Sequence, residues 1–140
     1  MNLEVAIIDF KVSNLFSVHS ACQYSGLNSQ ITHDSSEILN ASAVILPGVG
    51  AFGPAMERLN GLGLVPVIRK FIETGKPFMG ICLGMQLLMG ESEEFGVEKG
   101  LGIIPGVVKK MPEGKSLEKK YKIPHIGWNK LKIIGANHGG

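Results

Sequence analysis

The sequence predicts an α/β protein built on a doubly wound, mostly parallel sheet flanked by helices. Three observations predict it. Val5-Ala6-Ile7-Ile8, Ala43-Val44-Ile45-Leu46 and Phe78-Met79-Gly80-Ile81 are apolar runs of strand length without the polar alternation of a half-solvated strand, the pattern of strands covered on both faces. Helical periodicities lie between them. The connections are short, so strand and helix alternate along the first two thirds of the chain.

The elements follow in order. Val5 to Ile8 is the first strand. Leu15, Val18 and Cys22 then recur at helical spacing, with Ser13 or Asn14 as the N-cap and Gly26 able to end the helix. Ser29 to His33 reads as the second strand. Ala43 to Leu46 is the third, cut off by Pro47-Gly48. Helices over about Ala55 to Leu59 and Val65 to Thr74 follow, the second closed by Gly75. Phe78 to Ile81 is the fourth strand and Leu83 to Met89 a helix. The last third changes character: Leu101 to Val108 and Lys130 to Ile134 read as antiparallel strands. Residues 1–134 are expected to form one domain and 135–140 a glycine-rich tail.

Composition narrows the class. A chain of 140 residues with 44% hydrophobic and 19% charged residues can bury a core. No apolar run is long enough to span a membrane, and Met1-Asn2-Leu3-Glu4 lacks the basic start of a signal peptide. Cys22 and Cys82 are too few for a disulfide framework and are expected as thiols in a reducing cytoplasm. A net charge of +2 gives no electrostatic footprint for nucleic acid. Lys109, Lys110, Lys115, Lys119, Lys120 and Lys122 crowd together against only Glu113 and Glu118. A solvated loop and a docking surface for a partner or an anionic substrate both fit that cluster.

Chemistry concentrates at Gly80-Ile81-Cys82-Leu83-Gly84, which has the shape of a nucleophile elbow with Cys in place of Ser. A strand that turns sharply into a helix strains its central residue, and small residues two before and two after leave room for the turn. The Cys82 thiol would then project alone at a helix N-terminus, where the macrodipole favours thiolate. The Leu83 amide would be free to donate to a developing oxyanion. Pro47-Gly48-Val49-Gly50, at the end of the third strand, offers a second donor from Val49 or Gly50, in a loop whose glycines admit substrate closely. Cys22 lies on the apolar stripe of a helix with no such elbow and is read as core packing.

These residues resemble a known family. Gly80-Ile81-Cys82-Leu83-Gly84-Met85-Gln86-Leu87-Leu88 is similar to the nucleophile segment of class I glutamine amidotransferases. Pro47-Gly48-Val49-Gly50-Ala51-Phe52-Gly53 and Pro124-His125-Ile126-Gly127-Trp128-Asn129 narrow the likeness to the glutaminase subunits of imidazole glycerol phosphate synthases. The resemblance runs from Val5 to about Ile134. It implies a flavodoxin-like core and a reaction without metal or cofactor. Cys82 attacks the glutamine side-chain amide, ammonia leaves, and water releases glutamate. Gly48, Gly50, Leu83 and Gln86 match positions around the bound glutamine. The ammonia is passed to a separate (β/α)₈-barrel cyclase subunit in histidine biosynthesis. Asn14 and Trp128 match positions facing that subunit; a helix cap and a partly buried aromatic are their purely structural readings.

Two departures qualify the likeness. The family's Tyr-Gly-x-Gly-Asn after the first strand is here Phe10-Lys11-Val12-Ser13-Asn14, without either glycine. That exchange bears on the loop's conformation and on the acceptor, because subunits of very similar sequence feed ammonia to enzymes making amidino sugars of surface polysaccharide. The family's catalytic His and Glu come from a His-Pro-Glu motif beyond the last residue of this chain. His19, His33, His125 and His138 do not replace it, so the chain by itself is expected to be a poor glutaminase, or a non-catalytic partner of a synthase.

Overall fold

The computed structural model describes residues 4–111, 126–130 and 132, in two units divided after Lys110. In the first unit, β1 (Glu4–Ile8), β2 (Asn28–Thr32), β3 (Ala43–Leu46) and β4 (Phe78–Gly80) form a parallel sheet in the order β2-β1-β3-β4. The chain winds one way from β1 to β2 and the other way to β3 and β4. The reversal lies between β1 and β3, and ligands in such sheets bind outside the carboxyl ends of the strands at that point. The loops after Ile8, Leu46 and Gly80 therefore share one edge of the molecule.

Helices α1 (Leu15–Tyr24), α2 (Ser35–Asn40), α3 (Phe52–Gly61), α4 (Leu64–Glu73) and α5 (Leu83–Leu87) connect the strands. Alternation along each strand divides the side chains between two faces. Ala6, Ile8, Val44 and Leu46 join Ile38 of α2, Phe52 and Leu59 of α3, and Ile68 and Phe71 of α4 in the principal core. Val5, Ile7, Ile45 and Met79 point to the other face, which α1 covers in part. An apolar groove there runs between α1 and the sheet along Val18, Cys22, Leu27, Ile45, Met79 and Ile81, and Met79 is 58% exposed.

Local chemistry explains several boundaries. The Asn14 carboxamide oxygen accepts the Ser17 N–H at 3.4 Å and caps α1. Asp34 accepts from the amides of Ser36 and Glu37 at 2.8 and 2.9 Å, and Glu37 accepts in turn from the Thr32 hydroxyl. This short helix was not expected, although Asp34 followed by Glu37 three residues later is a readable start signal. Lys76 closes its far end by donating to the carbonyls of Leu39 and Ala41. Pro54 and Pro66 each sit in the first turn of a helix, where the missing N–H costs nothing.

The region after the elbow differs from expectation. The helix ends at Leu87, and Met89 begins a strand instead of closing the helix. β5 (Met89–Ser92) pairs antiparallel with β6 (Glu98–Lys99) and parallel with β7 (Ile104–Val108). The strand at Leu101 to Val108 thus has a parallel partner, because β5, polar and unread in the sequence, lies between it and β6. The anticipated strand at Lys130 to Ile134 falls largely outside the described residues. Arg69 of α4 donates to the carbonyl of buried Leu101, tying this smaller sheet to the principal core.

Candidate active site

Cys82 stands between β4 and α5 with φ 54° and ψ −117°. These angles are those of the first central residue of a type II′ turn, a position that glycine dominates. Only Lys11 and Cys82 among the described non-glycine residues have positive φ. Strain of this kind costs about 1–3 kcal/mol and persists only where the surroundings enforce it. Three glycines enforce it. A Cβ on Gly84 would collide with the Leu46 carbonyl, one on Gly80 would lie 2.6 Å from the Met85 α-carbon, and one on Gly48 would lie 2.9 Å from the Gly84 nitrogen. The loop after β3 and the elbow are thus packed backbone against backbone, and the thiol is left exposed.

The hydrogen bonds of the two loops are specific. Ile81 N–H donates to the Leu46 carbonyl at 3.0 Å, and Leu83 N–H to the Gly48 carbonyl at 3.3 Å. Val49 N–H donates to the Val12 carbonyl at 2.9 Å. The Leu83 amide is therefore not free, as the elbow pattern alone suggests, and the Val49 amide faces the β1 loop. Of the three expected donors, Gly50 alone has an N–H without a hydrogen-bond partner among the described residues; its φ of 102° is open to glycine and unfavourable for other residues. Gln86, whose N–H donates to the Cys82 carbonyl at 3.1 Å, sits one helical turn beyond the thiol on the same side and is half-buried.

The two described histidines, His19 and His33, are placed elsewhere. His19 of α1 shares a 2.8 Å hydrogen bond with the Ser29 hydroxyl on β2. His33 follows β2, three strand positions from β4, so roughly 14 Å separates it from the elbow. His125 and His138 lie outside the described residues. Cys22 is buried at 5% exposure under α1, as a packing residue should be. Asn14 is an exposed helix cap, and in the second unit Trp128 and Ile126 are exposed. No group of described His, Cys, Asp or Glu residues is arranged to hold a metal ion. No described helix is long and apolar enough to cross a membrane.

The sequence did not single out the β1 loop as part of the site. Lys11 takes φ 69° where the family resemblance expects glycine, so the loop keeps a glycine-like turn without the residue. Asp9 holds it: Oδ1 accepts the Lys11 N–H at 2.9 Å and Oδ2 the Lys11 ammonium at 2.8 Å. Burial pushes the Asp9 carboxyl up. The Lys11 side-chain and backbone hydrogen bonds, its charge and that of His33 outweigh burial, leaving the carboxyl below its ordinary 3.8.

A strained, exposed cysteine between a parallel strand and a helix, facing a glycine-rich turn from the neighbouring strand, is the geometry of a nucleophile elbow. The model of the class-I glutamine amidotransferase family matches residues 6–139, and the chain belongs to that family.

The relatives are more particular. The chain is 45% identical over 132 residues to the imidazole glycerol phosphate synthase subunit HisH of Listeria monocytogenes serotype 4a (strain HCC23), covering 94% of this chain and 62% of the relative. It is 50% identical over 125 residues to the subunit of the same name from Lacticaseibacillus casei (strain BL23), covering 89% and 58%. The chain thus spans about 60% of the length of the curated relatives it matches. Among solved structures, a glutamine amidotransferase superposes with a TM-score of 0.66 at 20% identity, covering 81% of this chain and 60% of the other. A peptidase E-like protein from Listeria monocytogenes EGD-e superposes with a TM-score of 0.61 at 13% identity, covering 74% and 64%. At these identities the superpositions speak for the fold alone.

Proposed function

We propose that this chain carries the nucleophile half of a glutaminase that supplies ammonia to an imidazole glycerol phosphate synthase in histidine biosynthesis. The observation that carries this reading is the Cys82 elbow, with its positive φ, exposed thiol and backbone packing against the loop after β3. The Cys82 sulfur adds to the carboxamide carbon of glutamine. The carbonyl oxygen takes up negative charge, and backbone N–H groups beside it stabilise that charge. Collapse expels the nitrogen as ammonia once it gains a proton, leaving a glutamyl thioester. Water hydrolyses the thioester to glutamate and returns the thiol.

The Gly50 amide is ready for the oxyanion role, and the Val49 amide can join it only by leaving the Val12 carbonyl. Gln86 and Gly48 border the space where glutamine sits. Proton transfer needs a base beside the thiol, and neither His19 nor His33 supplies it. The acceptor of ammonia is a (β/α)₈-barrel synthase subunit in the cytoplasm, met by surfaces that include Asn14 and Trp128. Reading the 45–50% identical relatives together with the elbow supports this assignment over that of a generic hydrolase.

A glutamine-analogue diazoketone tests it. Peptide mapping by mass spectrometry is expected to find the adduct on Cys82 and not on Cys22, with labelling suppressed by excess glutamine. Labelling that ignores Cys82, or that glutamine leaves unchanged, rejects the proposal.

A further inference from the structure

The β1 loop reaches the site through one bond, and its conformation is held by a pair of residues with no assigned role. Phe10 is fully buried and Val12 packs against the core, so the loop is anchored on both sides of Lys11. Asp9 is fixed by its own N–H, which donates to the Thr32 carbonyl at 2.9 Å. Its two carboxylate oxygens take the Lys11 N–H and the Lys11 ammonium. An Asp accepting from the amide two residues on is a turn former in its own right. Here it holds Lys11 at φ 69°, which a side chain with a β-carbon rarely adopts. The residue after Lys11 is Val12, whose carbonyl retains the Val49 N–H.

We propose that Asp9 and Lys11 are positioning residues for the oxyanion loop: their clamp sets the Val12 carbonyl, and that carbonyl keeps the Val49 amide turned away from the thiol. A glycine would reach the same turn unaided. With lysine the turn depends on a side-chain pair, and the Lys11 end of that pair is open to solvent at 62% exposure. Whatever competes for the Lys11 ammonium or the Asp9 carboxylate therefore loosens the Val49 amide. This inference rests on the glutaminase reading only in naming the loop after β3 as oxyanion donor; the coupling itself is independent of it.

Hydrogen exchange at individual amides, followed by NMR on the full chain, tests the coupling without requiring activity. Asp9→Ala is expected to speed exchange at Val49 by about tenfold while Val44, bonded to the Pro77 carbonyl, stays within about twofold. Asp9→Asn keeps an oxygen for the Lys11 N–H and is expected to restore most of the protection. Lys11→Val removes the ammonium and puts a β-branched residue at positive φ, and is expected to act like Asp9→Ala. Unchanged Val49 exchange in both disruptive variants overturns the proposal, as does loss of protection that Val44 shares equally. If Val49 responds as expected while the diazoketone fails to label Cys82, the clamp stands and the glutaminase reading falls.

Discussion

Gly84 lies against the carbonyl oxygen of Leu46 so closely that no methyl group fits between them. This contact brings the start of α5 onto the end of β3, and so brings the thiol beside the Gly48–Gly50 turn. Gly84→Ala must push two backbones apart. We expect it to cost at least about 1–3 kcal/mol, the usual range for overpacking. Gly61, at the end of α3 with open space around it, is the control: Gly61→Ala is expected to gain up to about 1 kcal/mol from helix propensity. Urea unfolding midpoints of the two variants measure the difference.

Cys82 holds a backbone conformation that suits glycine better. Cys82→Gly is expected to raise stability by about 1 kcal/mol or more through release of that strain, whereas Cys82→Ala keeps a β-carbon and the strain with it. Thermal unfolding of the pair is the measurement. A Cys82→Gly variant no more stable than Cys82→Ala would show that the elbow is not strained.

Asp9 predicts a pH dependence with a definite sign. Its folded carboxyl titrates below the ordinary 3.8, so the unfolded chain takes up its proton first as pH falls. The stabilisation is complete above about pH 4. It declines as pH drops below the ordinary value and is lost through the lower folded one. Asp9→Asn is expected to flatten this acid limb, seen as a smaller fall in urea midpoint between neutral pH and pH 3.

The two faces of the sheet should respond unequally to substitution. Phe71 is fully buried in the principal core, near Phe78 and under the Lys76 ammonium. Phe71→Ala is expected to cost about 3–5 kcal/mol. Met79 lies on the open side of β4, and Met79→Lys is expected to change stability by no more than about 0.5 kcal/mol. Chemical denaturation of both variants compares them; a costly Met79→Lys would mean that this face is covered.

Elements with strong local signals were legible in the sequence. The apolar run at Ala43 became β3 with its expected bounds, and those at Val5 and Phe78 became β1 and β4 with a shift of one residue at one end. Asn14, one of two candidate caps, caps α1. The elbow was legible because its glycine spacing reflects a steric need that few other structures share. β5 and β6 were not legible. Met89 to Ser92 carries no apolar alternation, and its strand conformation comes from pairing with β6 and β7, with partners as distant in the chain as Val107 and Val108. Tertiary pairing overrode the helical reading at Met89.

By itself, the sequence of residue types determined the elbow around Cys82, the glycines that let two backbones touch, and the winding of a parallel sheet, since each follows from sterics and burial within a few neighbouring residues. The folded chain alone decided which amides are occupied. Val49 is given to Val12, Leu83 to Gly48, and Gly50 is left open among the described residues. Hydrogen bonds between loops from different strands depend on distances that the sheet sets, and no spacing along the chain encodes them.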